Sequence, residues 1–221
     1  MNIDQFIRNN PPKEMPFRPG SPYTQFFGLR STAIGSPIHL GVDRGREPRT
    51  ILMPFDGKWI WNNIGGDWGS ILRIIPEDGT KLEIQIAHTT QITNLTEGKA
   101  KKGSVLPIQA DEIGLSAGIH THTEVLIPMT PGNYEWALDR AGCPLYSRTK
   151  GFLEPYIEQH CKTNGLDYID VRNRAMDQVG RWSIASVYEH VAVRTALPNH
   201  RLPHWGSGAV ILLDSKEFLQ I

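Results

Sequence analysis

The sequence predicts a mainly antiparallel β domain followed by a C-terminal extension that is mostly α-helical. Over residues 23–130, short apolar segments are separated by turns that contain glycine. Within this region, residues 81–86 alternate polar and apolar side chains, which is the period of a half-buried strand. In 147–163 and 171–194, by contrast, apolar residues recur about every three to four positions, which is the helical period.

The remaining elements follow in chain order. Residues 1–22 are rich in proline and polar groups, which predicts an irregular arm. The steps Asp56–Gly57 and Asp78–Gly79 predict tight hairpin turns, because glycine readily takes a positive φ. In the extension, residues 131–221, the apolar segment 209–214 predicts a last strand. The segments that predict strands in the β domain are 51–61, 69–75, 81–88 and 122–127.

Composition limits the classes of function. The 221 residues carry 23 basic and 23 acidic side chains, so the formal net charge is zero, whereas proteins that bind nucleic acid usually carry a basic excess. We therefore expect no nucleic-acid partner. No apolar run reaches the length of a membrane span, and the first residues show no secretory signal. Two cysteines, Cys143 and Cys161, are too few for a disulfide framework, and we expect free thiols.

Histidines in the β region have the neighbours that a metal site needs. His39 lies four residues before Asp43, and we expect Gly41 to let the backbone turn so that the two side chains converge. His120 and His122 are two residues apart, so on a strand their rings project from the same face. Two imidazole nitrogens and one carboxylate oxygen around an open fourth position form the usual catalytic zinc site.

Each motif has a simpler interpretation when it is taken alone. A His-x-His pair is often a core or surface pair on a strand, and a His and an Asp four residues apart can simply share a hydrogen bond. His88 follows an apolar strand and is typical of a strand-end histidine. The order of the motifs and their placement on β segments favour the metal site. A structural zinc site is disfavoured, because it would close with four protein ligands that usually include thiolates.

Together, these motifs resemble those of the lysostaphin-like (LytM-type) zinc endopeptidases. That family has a Phe-Gly-x-Arg turn, a His-x-Gly-x-Asp motif, a Pro-x-Asp-Gly hairpin, a strand that ends in histidine, and a glycine-rich approach to His-x-His. The resemblance extends over residues 23–128, and the motifs occur in the same order. The matching segments of this chain are 27–30, 39–43, 54–57, 86–88 and 113–124.

The resemblance implies a role for each residue of the site. His39, Asp43 and His122 would bind zinc, and His88 and His120 would be catalytic histidines that bind no metal. One of the two would help to deprotonate a metal-activated water, and the other would stabilise the oxyanion or protonate the leaving amine. The fold implied is an antiparallel β sandwich of the duplicated-hybrid-motif type. The implied activity is hydrolysis of crosslinks in bacterial peptidoglycan, with its peptide stems as binding partner.

The sequence departs from the family at two places. The family usually has His-Leu-His-Phe-Glu, whereas this chain has Thr121 and Thr123, which keep β propensity but remove apolar bulk. Glu124, which ends this motif, is interpreted as a residue that supports the site rather than as a general base. The extension, residues 131–221, lies outside the motif set. We expect it to pack against the β domain and to provide the surface for any assembly partner.

Two other functions are compatible with these residues. A catalytically inactive relative would use the groove as a structural or binding component of a larger assembly such as a virion, although all five site positions are filled. A histidine phosphocarrier also needs two neighbouring histidines, but it has no use for Asp43. Because no secretory signal is seen, we expect a phage-encoded protein made in the cytoplasm. It would act in the cell wall or periplasm after lysis or delivery by a virion.

Overall fold

A computed structural model describes eight parts of the chain: residues 23–30, 38–45, 48–79, 82–128, 158–173, 184–187, 191–194 and 210–213. The irregular arm predicted for residues 1–22 lies outside the described residues. The chain divides into two compact units, one centred on residues 41–127 and the other on residues 27–40 and 128–213.

The larger sheet of the first unit is antiparallel throughout. Its strands lie in the order β10–β6–β7–β8–β12–β4–β1. A short 3-10 helix, Gly66–Trp68, connects β6 to β7. The strands are β1 (Tyr23–Gln25), β4 (Val42–Gly45), β6 (Gly57–Gly65), β7 (Gly69–Pro76), β8 (Glu83–Ala87), β10 (Glu97–Ala100) and β12 (His120–Pro128).

A second antiparallel sheet of three strands completes this unit. Its order is β5 (Thr50–Leu52), β11 (Val105–Ala110) and β9 (Thr89–Gln91). A single residue, His88, separates the end of β8 in the larger sheet from the start of β9 in the smaller one. The chain therefore changes sheets at His88.

Strand alternation gives the larger sheet one apolar face and one polar face. Val125 pairs with Ile84, which in turn pairs with Ile74, and all three side chains are fully buried. Thr123 pairs with Ile86 and Val42 on this same face, so its side chain is buried beside apolar groups. Residues of even number on β12 project from the opposite face. The site is built there.

The two Asp-Gly steps have different outcomes. Gly79, with φ +79°, lies in the connection between the antiparallel strands β7 and β8, as predicted. The hairpin predicted at Asp56–Gly57 is wrong, because β5 and β6 belong to different sheets. Gly57 is instead required by close packing: a Cβ atom there would lie 2.2 Å from the backbone oxygen of Ile75 on the paired strand.

The second unit contains short strands and two short helical segments. Strands β2 (Gly28–Leu29) and β3 (Ile38–His39) pair with each other, and β13 (Ile184–Val187), β14 (Val191–Arg194) and β15 (Val210–Leu213) form an antiparallel meander. Residues 158–164 and 168–173 are helical. In the described part of the chain, no helix is long and apolar enough to cross a membrane.

The fold class predicted from the sequence is confirmed: the described chain is mainly antiparallel β, with short helices in the extension. The last strand predicted at 209–214 is confirmed as β15. The helix predicted over 171–194 is wrong at 184–187 and 191–194, which form β13 and β14. Both segments contain β-branched residues, and pairing in a hairpin overrides the weak helical spacing.

Candidate metal centre

Strands β4 and β12 place two of the predicted ligands opposite each other. In their antiparallel register His122 pairs with Asp43, and directly opposed side chains lie on one face of a sheet. The Nδ1 atom of His122 is 2.9 Å from the Oδ1 atom of Asp43. Strand register thus brings together two residues that are 79 positions apart in the sequence.

Gly41, at the centre of the His-x-Gly-x-Asp motif, makes this close approach possible. A Cβ atom at this position would lie 2.3 Å from the backbone oxygen of Thr123 and 2.9 Å from Nε2 of His122. The chain bends at Gly41, as expected, but its φ lies outside the left-handed region. The requirement for glycine therefore comes from the passage of β12, which leaves no room for a side chain.

His39, the last residue of β3, is the third predicted ligand and is 2% exposed. One ligand atom from each of His39, Asp43 and His122 lies within 4.8 Å of the others. All three side chains are buried. Two imidazoles and one carboxylate are the donor set of catalytic zinc sites, so this cluster fits a zinc ion.

The ring of His122 is held from three directions. Asp43 contacts Nδ1, Glu124 places Oε1 3.2 Å from Nε2, and the indole of Trp68 meets the ring edge-on at a centroid distance of 5.2 Å. Burial disfavours the charged imidazole, but the hydrogen bonds to Asp43 and Glu124 outweigh burial and raise the pKa of His122 to about 9. Without a metal, this ring is therefore an imidazolium at neutral pH.

His88 occupies the residue at which the chain changes sheets. Its φ is +58°, a left-handed conformation that is uncommon for a residue other than glycine. The turn is anchored by Ser70, whose hydroxyl accepts a hydrogen bond from the backbone N–H of Thr89 at 3.0 Å and donates to the Thr89 carbonyl. Strained backbone that is fixed in this way is common at functional sites, which makes His88 a candidate for a functional role.

The tautomer of His88 is fixed by a backbone carbonyl. Its Nδ1 atom lies 2.8 Å from the carbonyl oxygen of Ile113, and because a carbonyl can only accept, Nδ1 carries the proton. Burial lowers the pKa of His88 to about 4, so the ring is neutral at pH 7 and its Nε2 atom carries the lone pair. A neutral imidazole with Nε2 unprotonated can accept a proton from water.

His120 is held in the same manner by the segment that precedes it. Its Nδ1 atom is 2.9 Å from the carbonyl oxygen of Gly118 and 2.9 Å from Oγ of Ser116. The Ser116 hydroxyl donates to the same carbonyl at 2.6 Å, so Nδ1 of His120 again carries the proton. The centroids of the His88 and His120 rings lie 4.5 Å apart. The two histidines that the family resemblance assigns to catalysis are therefore neighbours.

One loop, residues 113–118, thus contacts both histidines. Gly69 and Gly114, both with positive φ, allow this loop to pack directly against the end of the β6–β7 connection. A Cβ atom on Gly114 would lie 2.6 Å from the carbonyl oxygen of Asp67, which also accepts a hydrogen bond from the Leu115 N–H at 2.8 Å. The loop can approach this closely only because both positions lack side chains.

Sequence reasoning missed several residues that shape the site: Trp68, Ser70, Ile113 and Ser116. Ile113 and Gly118 contribute backbone carbonyl oxygens. Every residue type has this group, so the sequence does not indicate which residues would use it. Gly69 and Gly114 are the residues from which this loop could have been predicted, since glycines with positive φ or close packing often border a functional loop. Among the other histidines, His160 binds the carbonyl oxygen of Arg30. His190, His200 and His204 lie outside the described residues.

Comparison with known proteins gives structural neighbours only. No protein-family model matches the chain. No curated protein sequence matches it either. Solved structures similar to this one are catalytic domains of lysostaphin-type (M23) peptidases. They belong to the class of protein that the sequence motifs resemble, and they match at low sequence identity.

Three of these structures show the extent of the match. The catalytic domain of the antimicrobial peptidase lysostaphin from Staphylococcus simulans has 19% identity and a TM-score of 0.41, covering 58% of this chain and 89% of that one. A variant of the catalytic domain of the prophage-encoded M23 protein EnpA from Enterococcus faecalis has 22% identity and a TM-score of 0.41, covering 51% and 85%. A zinc-containing peptidase from Vibrio cholerae has 21% identity and a TM-score of 0.44, covering 53% of this chain and 37% of that one.

Proposed function

We propose that this chain is a zinc-dependent endopeptidase that hydrolyses peptide crosslinks of bacterial peptidoglycan. The observation that carries the proposal is the buried cluster of His39, Asp43 and His122, with ligand atoms within 4.8 Å of one another. Two nitrogens and one carboxylate oxygen suit a catalytic zinc ion, which keeps one position for water or substrate. The peptidoglycan substrate is supported by the resemblance of the motifs in residues 23–128 to the lysostaphin-like endopeptidases.

His88 and His120 supply the acid–base chemistry of the proposed reaction. When bound, zinc would polarise the scissile carbonyl and lower the pKa of a water molecule. Both histidines carry a proton on Nδ1 and, when neutral, a lone pair on Nε2. One Nε2 atom would accept the proton of the attacking water, and the other ring would donate a proton to the leaving amine. The low pKa of His88 keeps it in the form that accepts a proton at pH 7.

A cleavage assay with defined products tests this proposal. The purified protein is incubated with peptidoglycan of several crosslink types in three forms: as prepared, after chelation, and after zinc is restored. New amino termini are then identified by mass spectrometry. We expect zinc-dependent release of free amines, which chelation abolishes and added zinc restores. The new amino terminus identifies the bond that is cut.

Three variants assign the activity to the site. His122→Ala should lose zinc and turnover together, because it removes a ligand. His88→Ala should keep stoichiometric zinc but lose turnover by about 10²-fold or more, since general acid–base catalysis contributes about 10²–10⁴-fold. His160→Ala, which removes a histidine that binds the Arg30 carbonyl, is the control and should keep both properties.

The same assay separates the endopeptidase from the other functions considered. One tightly bound zinc without cleavage of any wall type would contradict the proposal and favour a binding or structural relative. Phosphorylation of His88 or His120 by a phosphohistidine donor, without zinc binding, would favour a phosphocarrier. Cleavage that survives His88→Ala and His120→Ala together would retain hydrolysis but remove the roles assigned to these residues.

A further inference from the structure

His88 lies on the opposite side of the larger sheet from the one that strand alternation assigns to it. On β8, Ile86 is buried in the apolar face, and Ala87 pairs with His122 on the polar face that carries the site. A regular strand would therefore direct residue 88 into the apolar face. Its ring lies instead beside that of His120, with the centroids 4.5 Å apart. The change of direction occurs at the left-handed backbone of His88, whose φ is +58°.

The following residue, Thr89, takes the place opposite Ser70 that residue 88 would have in a regular strand. Leu72 on β7 pairs with Ile86 on β8, so a continuous ladder would place residue 88 opposite Ser70. The fully buried Ser70 binds Thr89 instead: its hydroxyl donates to the Thr89 carbonyl and accepts from the Thr89 N–H at 3.0 Å. The two hydroxyl oxygens are 2.9 Å apart. One serine thus contacts all three polar groups of Thr89.

Trp61, which is half-buried, completes this network and fixes the direction of its protons. The proton of the Ser70 hydroxyl is used by the Thr89 carbonyl, so the Thr89 hydroxyl donates to Ser70. The indole Nε1 of Trp61 lies 3.2 Å from the Thr89 hydroxyl oxygen, and an indole N–H can only donate. Each donor in the network therefore has an acceptor, which is what a buried polar cluster needs in order to be rigid.

We propose that Ser70, Thr89 and Trp61 are positioning residues that hold the His88 ring on the site face of the sheet. A left-handed backbone is disfavoured for a residue other than glycine, so it persists only where the surrounding contacts determine it. The network fixes Thr89 through both of its backbone groups and its hydroxyl, which prevents the chain from relaxing into a regular strand at residue 88. The catalytic consequence rests on the proposed function, in which His88 is an acid–base group.

Two variants of Thr89 separate the effect of its hydroxyl from that of its shape. Thr89→Val keeps the shape but removes the hydrogen bonds of the hydroxyl to Ser70 and Trp61. We expect kcat to fall about 10- to 100-fold, because the His88 ring loses its orientation. KM and zinc affinity should stay within about threefold, since neither substrate binding nor the ligands change. Thr89→Ser keeps the hydroxyl, and all three quantities should stay within about threefold of wild type.

The matched control is Thr121→Val on the apolar face of β12, where the threonine is 1% exposed. Within the described part of the chain, the Thr121 hydroxyl has no hydrogen-bond partner, so its removal should leave kcat within about twofold. Trp61→Phe is a milder second variant, which keeps the inference testable if Thr89→Val does not fold. It removes the indole donor at the half-buried end of the network and should lower kcat about 3- to 10-fold.

The position of the ring is measured without turnover by nuclear Overhauser spectroscopy. Protons of the His88 and His120 rings should give strong cross-peaks in the wild type, where the centroids are 4.5 Å apart. These cross-peaks should be lost in Thr89→Val and kept in the control variant. Cross-peaks between the rings of His122 and Trp68, whose centroids are 5.2 Å apart, should persist in every variant and show that the fold is intact.

Two results would overturn the inference. The first is that the cross-peaks between His88 and His120 persist in Thr89→Val, or in Trp61→Phe if the valine variant does not fold. The second is an equal loss of kcat and zinc affinity, which would indicate a general loss of structure rather than a displaced ring. If the wild type cleaves no wall peptide, the proposed function fails, whereas the ring cross-peaks still decide the position of His88. The two failures are therefore distinguishable.

Discussion

The ligand pair on the strands and the histidine pair beside it are positioned in different ways. Asp43 and His122 face each other because β4 and β12 pair in register, and the backbone ladder sets their separation. His88 and His120 are held through Nδ1 by carbonyl oxygens of Ile113 and Gly118, which lie on one loop. The comparison shows that the predicted ligand pair is positioned by sheet pairing, whereas the two neighbouring histidines are positioned by how the loop packs.

The two regions also differ in charge. His122 is paired with two carboxylates, which hold the ring positive when no metal is present. Burial lowers the pKa of His88 and holds the ring neutral, outweighing the hydrogen bond to the Ile113 carbonyl, which raises that pKa, while the neighbouring His120 ring lowers it further. If a metal ion binds at His122, the ring nitrogen that becomes its ligand must lose its proton, because a ligand needs a free lone pair. A neutral ring is already in the form needed to accept a proton.

The largest expected effect comes from filling the gap between β4 and β12. Gly41→Ala places a Cβ atom 2.3 Å from the Thr123 carbonyl, so the strands must separate, with a loss of about 3 kcal/mol or more of stability. Zinc affinity should fall by more than about 100-fold, since His122 and Asp43 move apart. Urea unfolding and chelator competition measure the two quantities.

Gly45→Ala is the matched control for this variant. It lies on the same strand, but the nearest atom to its Cβ is the side-chain Cγ2 of Thr24 at 3.2 Å, which can move aside. We expect a stability change of less than about 1 kcal/mol and unchanged zinc affinity. Equal losses in Gly41→Ala and Gly45→Ala would show that the close approach of β12 is not what constrains Gly41.

The next effect concerns the charge difference between the two histidines in metal-free protein. The pKa of His88 is about 6.5 in the unfolded chain and about 4 in the fold, so its stabilising contribution is complete above pH 6.5 and is lost as pH falls to 4. The loss amounts to about 3 kcal/mol at most. We expect His88→Gln to flatten the fall in unfolding free energy between pH 6.5 and 4, measured by urea titration in the presence of a chelator.

His122→Gln should alter the pH dependence of the unfolding free energy at the opposite end of the pH range. The pKa of His122 is raised to about 9, so its contribution is complete below pH 6.5 and is lost as pH rises through 9. This variant should flatten the stability curve on the alkaline side. A single window affected by both variants would contradict the separation of a neutral ring from a charged one.

The smallest expected effect comes from the loop. Gly114→Ala adds a Cβ atom 2.6 Å from the Asp67 carbonyl at a φ of +75°, which should destabilise the loop by about 2 kcal/mol and displace Ile113 and Ser116. Turnover should fall about 10- to 30-fold because the histidines lose their fixed orientation, while zinc affinity stays within about threefold. Steady-state cleavage and chelator competition measure the two.

The control for the loop variant is Gly103→Ala. Gly103 has a similar φ, +80°, but an added Cβ atom would meet nothing within 4 Å. It therefore reports backbone strain alone, and we expect turnover to remain within about twofold. A loss of zinc affinity in Gly114→Ala equal to the loss of turnover would show that loop and ligand positions are coupled.

Much of the fold follows from local patterns. Alternation in residues 81–86 predicts β8, and Asp78–Gly79 predicts the turn before it, because both signals act over a few residues. The helix predicted over 171–194 is wrong at 184–187 and 191–194, because weak helical spacing competes with strand pairing, which depends on distant residues. The Asp56–Gly57 hairpin is wrong for a related reason: the turn residues do not specify which sheet each flanking strand joins.

The sequence by itself determined the chemistry of the candidate site. The residue types and spacing of His39, Asp43 and His122 limit the donor set to nitrogen and oxygen, and an alternation of two places His120, His122 and Glu124 on one face of a strand. Only the tertiary structure decided which nitrogen faces which partner, that His88 is neutral and His122 charged, and that one loop holds two histidines. These properties depend on burial and on backbone carbonyls contributed by distant segments. Neither can be predicted from the residue type alone.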